Sequence, residues 1–146
     1  MRNRAVRLNS WTRLAWKLHR WLYSISGGRL ASSLSGWRVI LLRTIGRKSG
    51  SPREVALNCM LDNGRYVVIA SYAGESRHPA WYLNLQANRR AQVLVNGKWI
   101  NVAAQDAAPD ERARLWSGVV ARDPSYAEYQ LRTSRQIPVV ILTPQA

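Results

Sequence analysis

Apolar positions along the chain change their period near residue 37. Over 8–25 they recur every three or four residues. Trp11, Leu14, Leu18, Trp21, Leu22 and Ile25 fall on one helical face, and Arg13, Lys17, Arg20 and Ser24 on the other. Trp16 and Tyr23 flank this stripe, and Gly27-Gly28 ends it. Residues 29–37 read as a loop or a short second helix. Beyond them, short runs rich in Val, Ile and Leu read as strands at 38–44, 54–61, 65–71, 91–95, 98–104 and 138–142. Asp62-Asn63-Gly64 and Asn96-Gly97 are hairpin signals. Pro79 suits the first turn of a helix running to about Asn88. A second helix opens at Pro109 or Asp110 and runs to about Ala121, and a short one lies near 125–132. Many hairpin strands with few helices predict an α+β protein built on a small antiparallel β-barrel, not an alternating α/β sheet. Two regions follow: residues 1–36, a basic amphipathic helix and connector, and residues 37–146, the barrel with peripheral helices.

Charge changes this picture. The 146-residue chain carries a net charge of +14. Every charged residue before Glu54 is Arg or Lys, so the excess sits in the N-terminal third and the remainder is nearly balanced. Such a field favours anionic partners: nucleic acid, anionic lipid or a polyanionic ligand. A basic face opposite a Trp/Leu face over 8–25 suits a helix lying on an anionic membrane, and equally an ordinary helix packed on its own domain. No apolar run approaches the roughly 18 residues needed to cross a bilayer. The charged N-terminus does not read as a secretory signal. The expected location is cytoplasmic, with peripheral contact at the inner face of the cell membrane.

The chemistry is more restricted. Cys59 is the one cysteine, so no internal disulfide forms, and its strand setting suggests a core residue. His19, His78 and Cys59 are too few for a zinc site. The chain has no phosphate-binding Walker loop, no GxGxxG after a strand and no GxSxG elbow. Nor does any carboxylate pair suggest a glycosidase. A chain so poor in acids and nucleophiles is a binder, or an enzyme whose cofactor does the chemistry.

Two segments point to a ligand. Gly46-Arg47-Lys48-Ser49-Gly50-Ser51-Pro52-Arg53 is a tight, basic, glycine-bounded turn whose N–H groups and cations suit a phosphate. His78-Pro79-Ala80-Trp81-Tyr82-Leu83-Asn84-Leu85-Gln86-Ala87-Asn88 is a helix that opens on aromatic residues and suits a flat ring, or packs into the core. Together they suit a nucleotide-like cofactor.

These segments resemble the deazaflavin-dependent nitroreductase family, which uses coenzyme F420 on a split β-barrel. The resemblance is carried by GRKSGSPR at 46–53, YVVIAS at 66–71, the Gly74 loop, HPAWYLNLQAN at 78–88, ERARLW at 111–116, YAEYQLRTSR at 126–135 and IPVVILTP at 137–144. It runs from about Leu41 to Pro144, and residues 1–40 add nothing specific to it. It implies that Lys48, Ser49 and Arg53 grip the phosphate or tail carboxylates of the coenzyme. It further implies that Ser71, Gly74, Pro79, Trp81, Tyr82 and Asn84 line the ring site. Ser71 would orient the acceptor as the catalytic residue, and Tyr126 and Tyr129 would contact the substrate. The implied reaction is hydride transfer to a planar electrophile, with a quinone preferred over an enone or nitro compound. Relatives often carry a third Tyr before the Pro, where this chain has Asp123 before Pro124. That departure bears on reduction of bulky nitroimidazoles. The resemblance also implies an actinobacterial or archaeal source, which the preference for Arg over Lys fits.

Three other readings remain open. FMN also has a phosphate and occupies sister split barrels. A basic nucleic-acid module fits the charge, although no recognised motif accompanies it. A purely structural peripheral membrane protein would have no use for the two ligand segments.

Overall fold

The computed structural model describes residues 37–146. The amphipathic stretch expected at 8–25, and the whole of region 1–36, lie outside the described residues. Six strands, β1 (Arg38–Ile45), β2 (Pro52–Asp62), β3 (Arg65–Ile69), β4 (Arg90–Val95), β5 (Lys98–Asp106) and β6 (Val139–Pro144), are joined by antiparallel pairing. They close a barrel in the order β1-β2-β3-β6-β5-β4. Three helices are inserted: α1 (Ala80–Ala87), α2 (Pro109–Arg122) and α3 (Ser125–Leu131). The expected split-barrel architecture is present.

The two Asn-Gly turns set the hairpin registers. Asn63 and Gly64 have φ of 50° and 77°, and Asn96 and Gly97 have 49° and 78°. Positive φ at both central positions matches the right-handed twist of the flanking strands, and Asn and Gly adopt it at low cost. Asp62 therefore pairs with Arg65 and Val95 with Lys98.

Side chains then alternate across the barrel wall. Ile40, Leu42, Val68, Val93, Val102, Val140 and Leu142 fill the interior together with Trp81, Tyr82 and Leu85 of α1. On the outer face, Val67, Val139 and Ile141 pack under Leu115 of α2. Val139–Leu142 is thus buried on both faces, which is why it reads as a continuous apolar run. Cys59 is fully buried, and burial pushes its thiol up to about 12.

Strand ends differ from the sequence expectation by one or two residues, and two of the shifts bear on the site and the barrel closure. The strand expected at 65–71 ends at Ile69, because the chain turns at Ser71 and enters left-handed backbone at Tyr72. The last strand runs on to Pro144, where it pairs with Val102 of β5. Among the described residues no helix is long and apolar enough to cross a membrane.

Candidate active site

The β1–β2 connection forms one wall of a cleft. Gly46 N–H donates to Ser51 O at 2.8 Å and Gly50 N–H to Gly46 O at 2.8 Å, closing the basic turn on itself. A Cβ at position 46 would lie 2.6 Å from Ser49 Oγ and 3.2 Å from Ser51 O, so a side chain there would displace the Ser49 hydroxyl. Gly50 has φ of +70°, in the left-handed region. Ser49 Oγ accepts from Ser51 N at 3.2 Å and from an Arg53 Nη2 at 3.4 Å. Ser49 therefore organises the turn and aims the Arg53 guanidinium.

Asn84 ties this turn to α1. Its Oδ1 accepts from both Arg47 N and Arg47 Nη1 at 3.2 Å, and its Nδ2 donates to the buried Thr44 Oγ1 at 3.1 Å. Lys48 and Arg53 are exposed, and no salt bridge engages either of them among the described residues. The nearby Glu54 is bound at 2.7 Å by Arg43, whose guanidinium also stacks on Trp99 at 3.6 Å. The turn thus keeps two cations without a bound carboxylate at the cleft edge.

The Ser71–Glu75 turn and α3 supply a second wall. Tyr72, Ala73 and Gly74 have φ of 45°, 52° and 78°, three left-handed residues in succession. Two of them carry a Cβ, which costs about 1–2 kcal/mol each. Gly74 N–H donates to Ser71 O at 2.9 Å and Glu75 N–H to Tyr72 O at 3.0 Å. The N–H groups of Tyr72 and Ala73 have no hydrogen-bond partner among the described residues. The hydroxyl of the half-buried Ser71 also has none. Tyr126 and Tyr129 sit one helical turn apart on α3, edge to face with ring centres 5.6 Å apart, and Tyr126 also meets Trp37 at 5.8 Å. Burial raises the Tyr126 phenol above its ordinary pKa, and a hydrogen bond with Asn58 opposes that shift.

The cleft between these walls measures about 950 Å³. Lys48, Ser49, Arg53, Ser71, Pro79, Trp81, Asn84, Tyr126 and Tyr129 all line it, so most of the expected site residues converge. Two do not. Tyr82 points its hydroxyl at Asp106 Oδ2, 2.7 Å away, and packs on His78 at 4.7 Å. Burial, then the bond to Asp106, pushes its phenol up to about 12. Gly74 is buried against α3, where a Cβ would lie 2.6 Å from Tyr129 O. Both lie behind the cleft wall. The helical period explains Tyr82, because consecutive residues of a helix diverge by 100° and Trp81 takes the cleft side.

The structure adds Arg47, Asn58, Tyr72, Ala73 and Asp123 to the lining. Asp123 Oδ1 accepts from Ser125 N at 3.0 Å and Ser125 Oγ at 2.6 Å, so it starts α3 as well as bordering the cleft. Arg47 and Asp123 belonged to segments already singled out. Asn58 had no signal, being one polar residue in an apolar strand.

A flat polyanion fits this cleft, whose lining joins cations without bound carboxylates to Trp81 and two tyrosines. Comparison with known proteins agrees. The family model for F420H(2)-dependent quinone reductases matches residues 15–144, reaching further toward the N-terminus than the motifs had suggested. An F420H(2)-dependent quinone reductase of Mycobacterium tuberculosis (strain ATCC 25618 / H37Rv) is 38% identical over 131 residues, covering 87% of this chain and 88% of the relative. The solved F420-H2 dependent reductase FDR-A has a TM-score of 0.65 at 39% identity, covering 71% of this chain and 92% of that one. A solved structure described as a domain-swapped dimer has a TM-score of 0.67 at 33% identity, covering 89% of this chain and 98% of its own. Motifs, barrel, cleft and relatives agree: the chain belongs to the F420H(2)-dependent quinone reductase family, a family of oxidoreductases whose cofactor is coenzyme F420.

Proposed function

We propose that this protein reduces a quinone to the quinol at the expense of reduced coenzyme F420. The observation that supports it most is the joining of two chemistries in one cleft. Lys48 and Arg53, without a bound carboxylate among the described residues, and the aromatic Trp81, Tyr126 and Tyr129 line the same cleft.

Each residue then has a task. Lys48 and Arg53 hold the acidic groups of the coenzyme, with Ser49 keeping Arg53 in place. Charge-assisted contacts of this kind contribute roughly 1.5–3 kcal/mol each. Asn84 fixes the turn that carries them. Trp81 offers a flat apolar face to the ring. When bound, the reduced coenzyme supplies the hydride. Tyr126 and Tyr129 bound the space left for a planar acceptor. The Ser71 hydroxyl, lacking a partner in the described residues, donates a hydrogen bond to an acceptor oxygen. Among the described residues no imidazole lines the cleft, and its two carboxylates are already engaged, Glu54 by Arg43 and Asp123 by Ser125. The rate therefore comes chiefly from holding two planar reactants together.

Nitro compounds and enones are alternative acceptors with the same planar, electron-poor character. The basic, Trp-rich stretch 8–25, by its sequence pattern, supports contact with an anionic membrane, where quinones partition.

The test is a tryptophan-quenching titration with coenzyme F420, run beside FMN at two salt concentrations. Turnover of reduced coenzyme with a menaquinone analogue, an enone and a nitroimidazole follows. Saturable quenching by the deazaflavin, weaker quenching by FMN and fastest turnover with the quinone are expected. Quenching by FMN alone would overturn the reading. Ser71→Ala should lower turnover about tenfold with coenzyme affinity almost intact, as expected for a hydrogen bond of about 1.4 kcal/mol made to the acceptor. Co-sedimentation with anionic liposomes should weaken when residues 1–28 are removed.

A further inference from the structure

We infer that Arg135 is a positioning residue for the hydride-transfer site, acting through the left-handed Ser71–Glu75 turn. The inference rests on the proposed coenzyme site and extends it to a residue that does not line the cleft.

Arg135 lies in the segment between α3 and β6, half-buried. Its guanidinium spreads over three backbone carbonyls of the chain leaving β3. Nη1 donates to Ala70 O at 3.2 Å, Nη2 to Ser71 O at 2.8 Å, and Nε to Glu75 O at 3.0 Å. Nη1 also reaches His78 Nδ1 at 3.3 Å, just before Pro79 and α1. One side chain therefore brackets the whole turn, gripping it before Tyr72 and after Gly74. No carboxylate forms a salt bridge with Arg135 among the described residues. Its donors are used on backbone instead.

The turn needs such a hold. Tyr72 and Ala73 have φ of 45° and 52°, a conformation that persists only where the surroundings over-determine it. Gly74 supplies the other constraint by close approach to Tyr129. Ser71, Tyr72 and Ala73 all line the cleft. Arg135 and Gly74 thus fix the cofactor-side turn relative to the helix that carries Tyr126 and Tyr129. A guanidinium fork suits three divergent carbonyls, and an ammonium does not. Relaxation of the turn by about 1 Å is enough to cost on the order of a hundredfold in rate. The anion grip at Lys48 and Arg53 belongs to the separate β1–β2 turn and is left in place.

The test uses the full chain with Arg135→Ala, Arg135→Lys and Gly74→Ala. First, hydrogen exchange in the coenzyme-free protein reads the turn directly. The Gly74 and Glu75 amides should exchange at least tenfold faster in Arg135→Ala, with β4 and β5 amides unchanged. Second, single turnover of bound reduced coenzyme with menadione should slow by tenfold to a hundredfold, while the Kd for coenzyme F420 changes less than threefold. Added guanidinium should restore part of the Arg135→Ala rate, and Arg135→Lys should lie between. Gly74→Ala should reproduce the split between rate and affinity without touching Arg135. Unchanged exchange in the turn, or a normal single-turnover rate in a folded Arg135→Ala protein, refutes the inference. Should Arg135→Ala not fold, Arg135→Lys and Gly74→Ala decide it by the same two readouts. If the unsubstituted protein binds no deazaflavin, the coenzyme reading and the positioning role both fall, and the exchange arm still decides whether Arg135 holds the turn.

Discussion

Asn84 should matter to both stability and ligand binding, in separable amounts. It is 4% exposed and links three groups: Arg47 N, Arg47 Nη1 and Thr44 Oγ1. In Asn84→Ala, Arg47 is exposed and water replaces its lost acceptor, so those two bonds together cost about 1 kcal/mol. Thr44 is 1% exposed, so its hydroxyl loses a partner that water does not replace, at about 1–2 kcal/mol. The sum is about 2–3 kcal/mol, or roughly 6–10 °C in Tm for a chain of this size. The freed turn should also hold the coenzyme several-fold less tightly. In Asn84→Asp, the introduced carboxylate accepts from Arg47, and the Thr44 hydroxyl rotates to donate to it. Stability should fall less than in Asn84→Ala. Coenzyme affinity should fall more, because a negative charge now stands beside the anion grip. Urea denaturation and quenching titrations of both variants measure the two quantities. If Asn84→Ala keeps its Tm, or if Asn84→Asp binds coenzyme as well as the native chain, Asn84 does not act through the turn.

Other outcomes follow from the same geometry. Lys48→Ala and Arg53→Ala should each raise the coenzyme Kd about tenfold to a hundredfold, flatten its salt dependence and leave Tm unchanged, as a quenching titration would show. Hydrogen bonds from Arg114 and then Arg65 hold the Asp62 carboxyl down at about 2. A lowered folded-state pKa stabilises above the ordinary value of 3.8 and is lost as pH falls toward about 2. Asp62→Asn should therefore remove that segment of the acid-denaturation curve, and an unchanged curve would count against the pairing. Cys59 should resist thiol reagents in the native protein and react at the rate of barrel opening, since burial suppresses its thiolate. Burial, then the Arg135 guanidinium, lowers the His78 pKa, so the imidazole should titrate below the ordinary histidine range. In Arg135→Ala it should rise back toward that range, read by NMR of the ring protons.

Much of this protein was legible without coordinates, because its signals are local. Asn-Gly turns dictate hairpins through the φ values that only such residues take easily, and alternating apolar runs dictate strands. Glycine-bounded basic residues mark an anion turn within eight positions. Those features placed the six strands, the three described helices and the two ligand segments. What tertiary structure alone decided is set by distance between elements. Closure of β1 onto β4 brings the basic turn within reach of Asn84, 37 positions on from Arg47. Trp81 and Tyr82 are equivalent in type and adjacent in sequence, yet only the docking of α1 sends one to the cleft and the other to Asp106. Gly74 reads as a loop glycine, whereas packing on Tyr129 makes it a point of closest approach. Arg135 ends one of the segments that carry the family resemblance, yet nothing in the sequence gives it a role in a chain crowded with arginines. Its partners are carbonyls about 60 residues earlier, and carbonyls, common to every residue, leave no mark on the sequence.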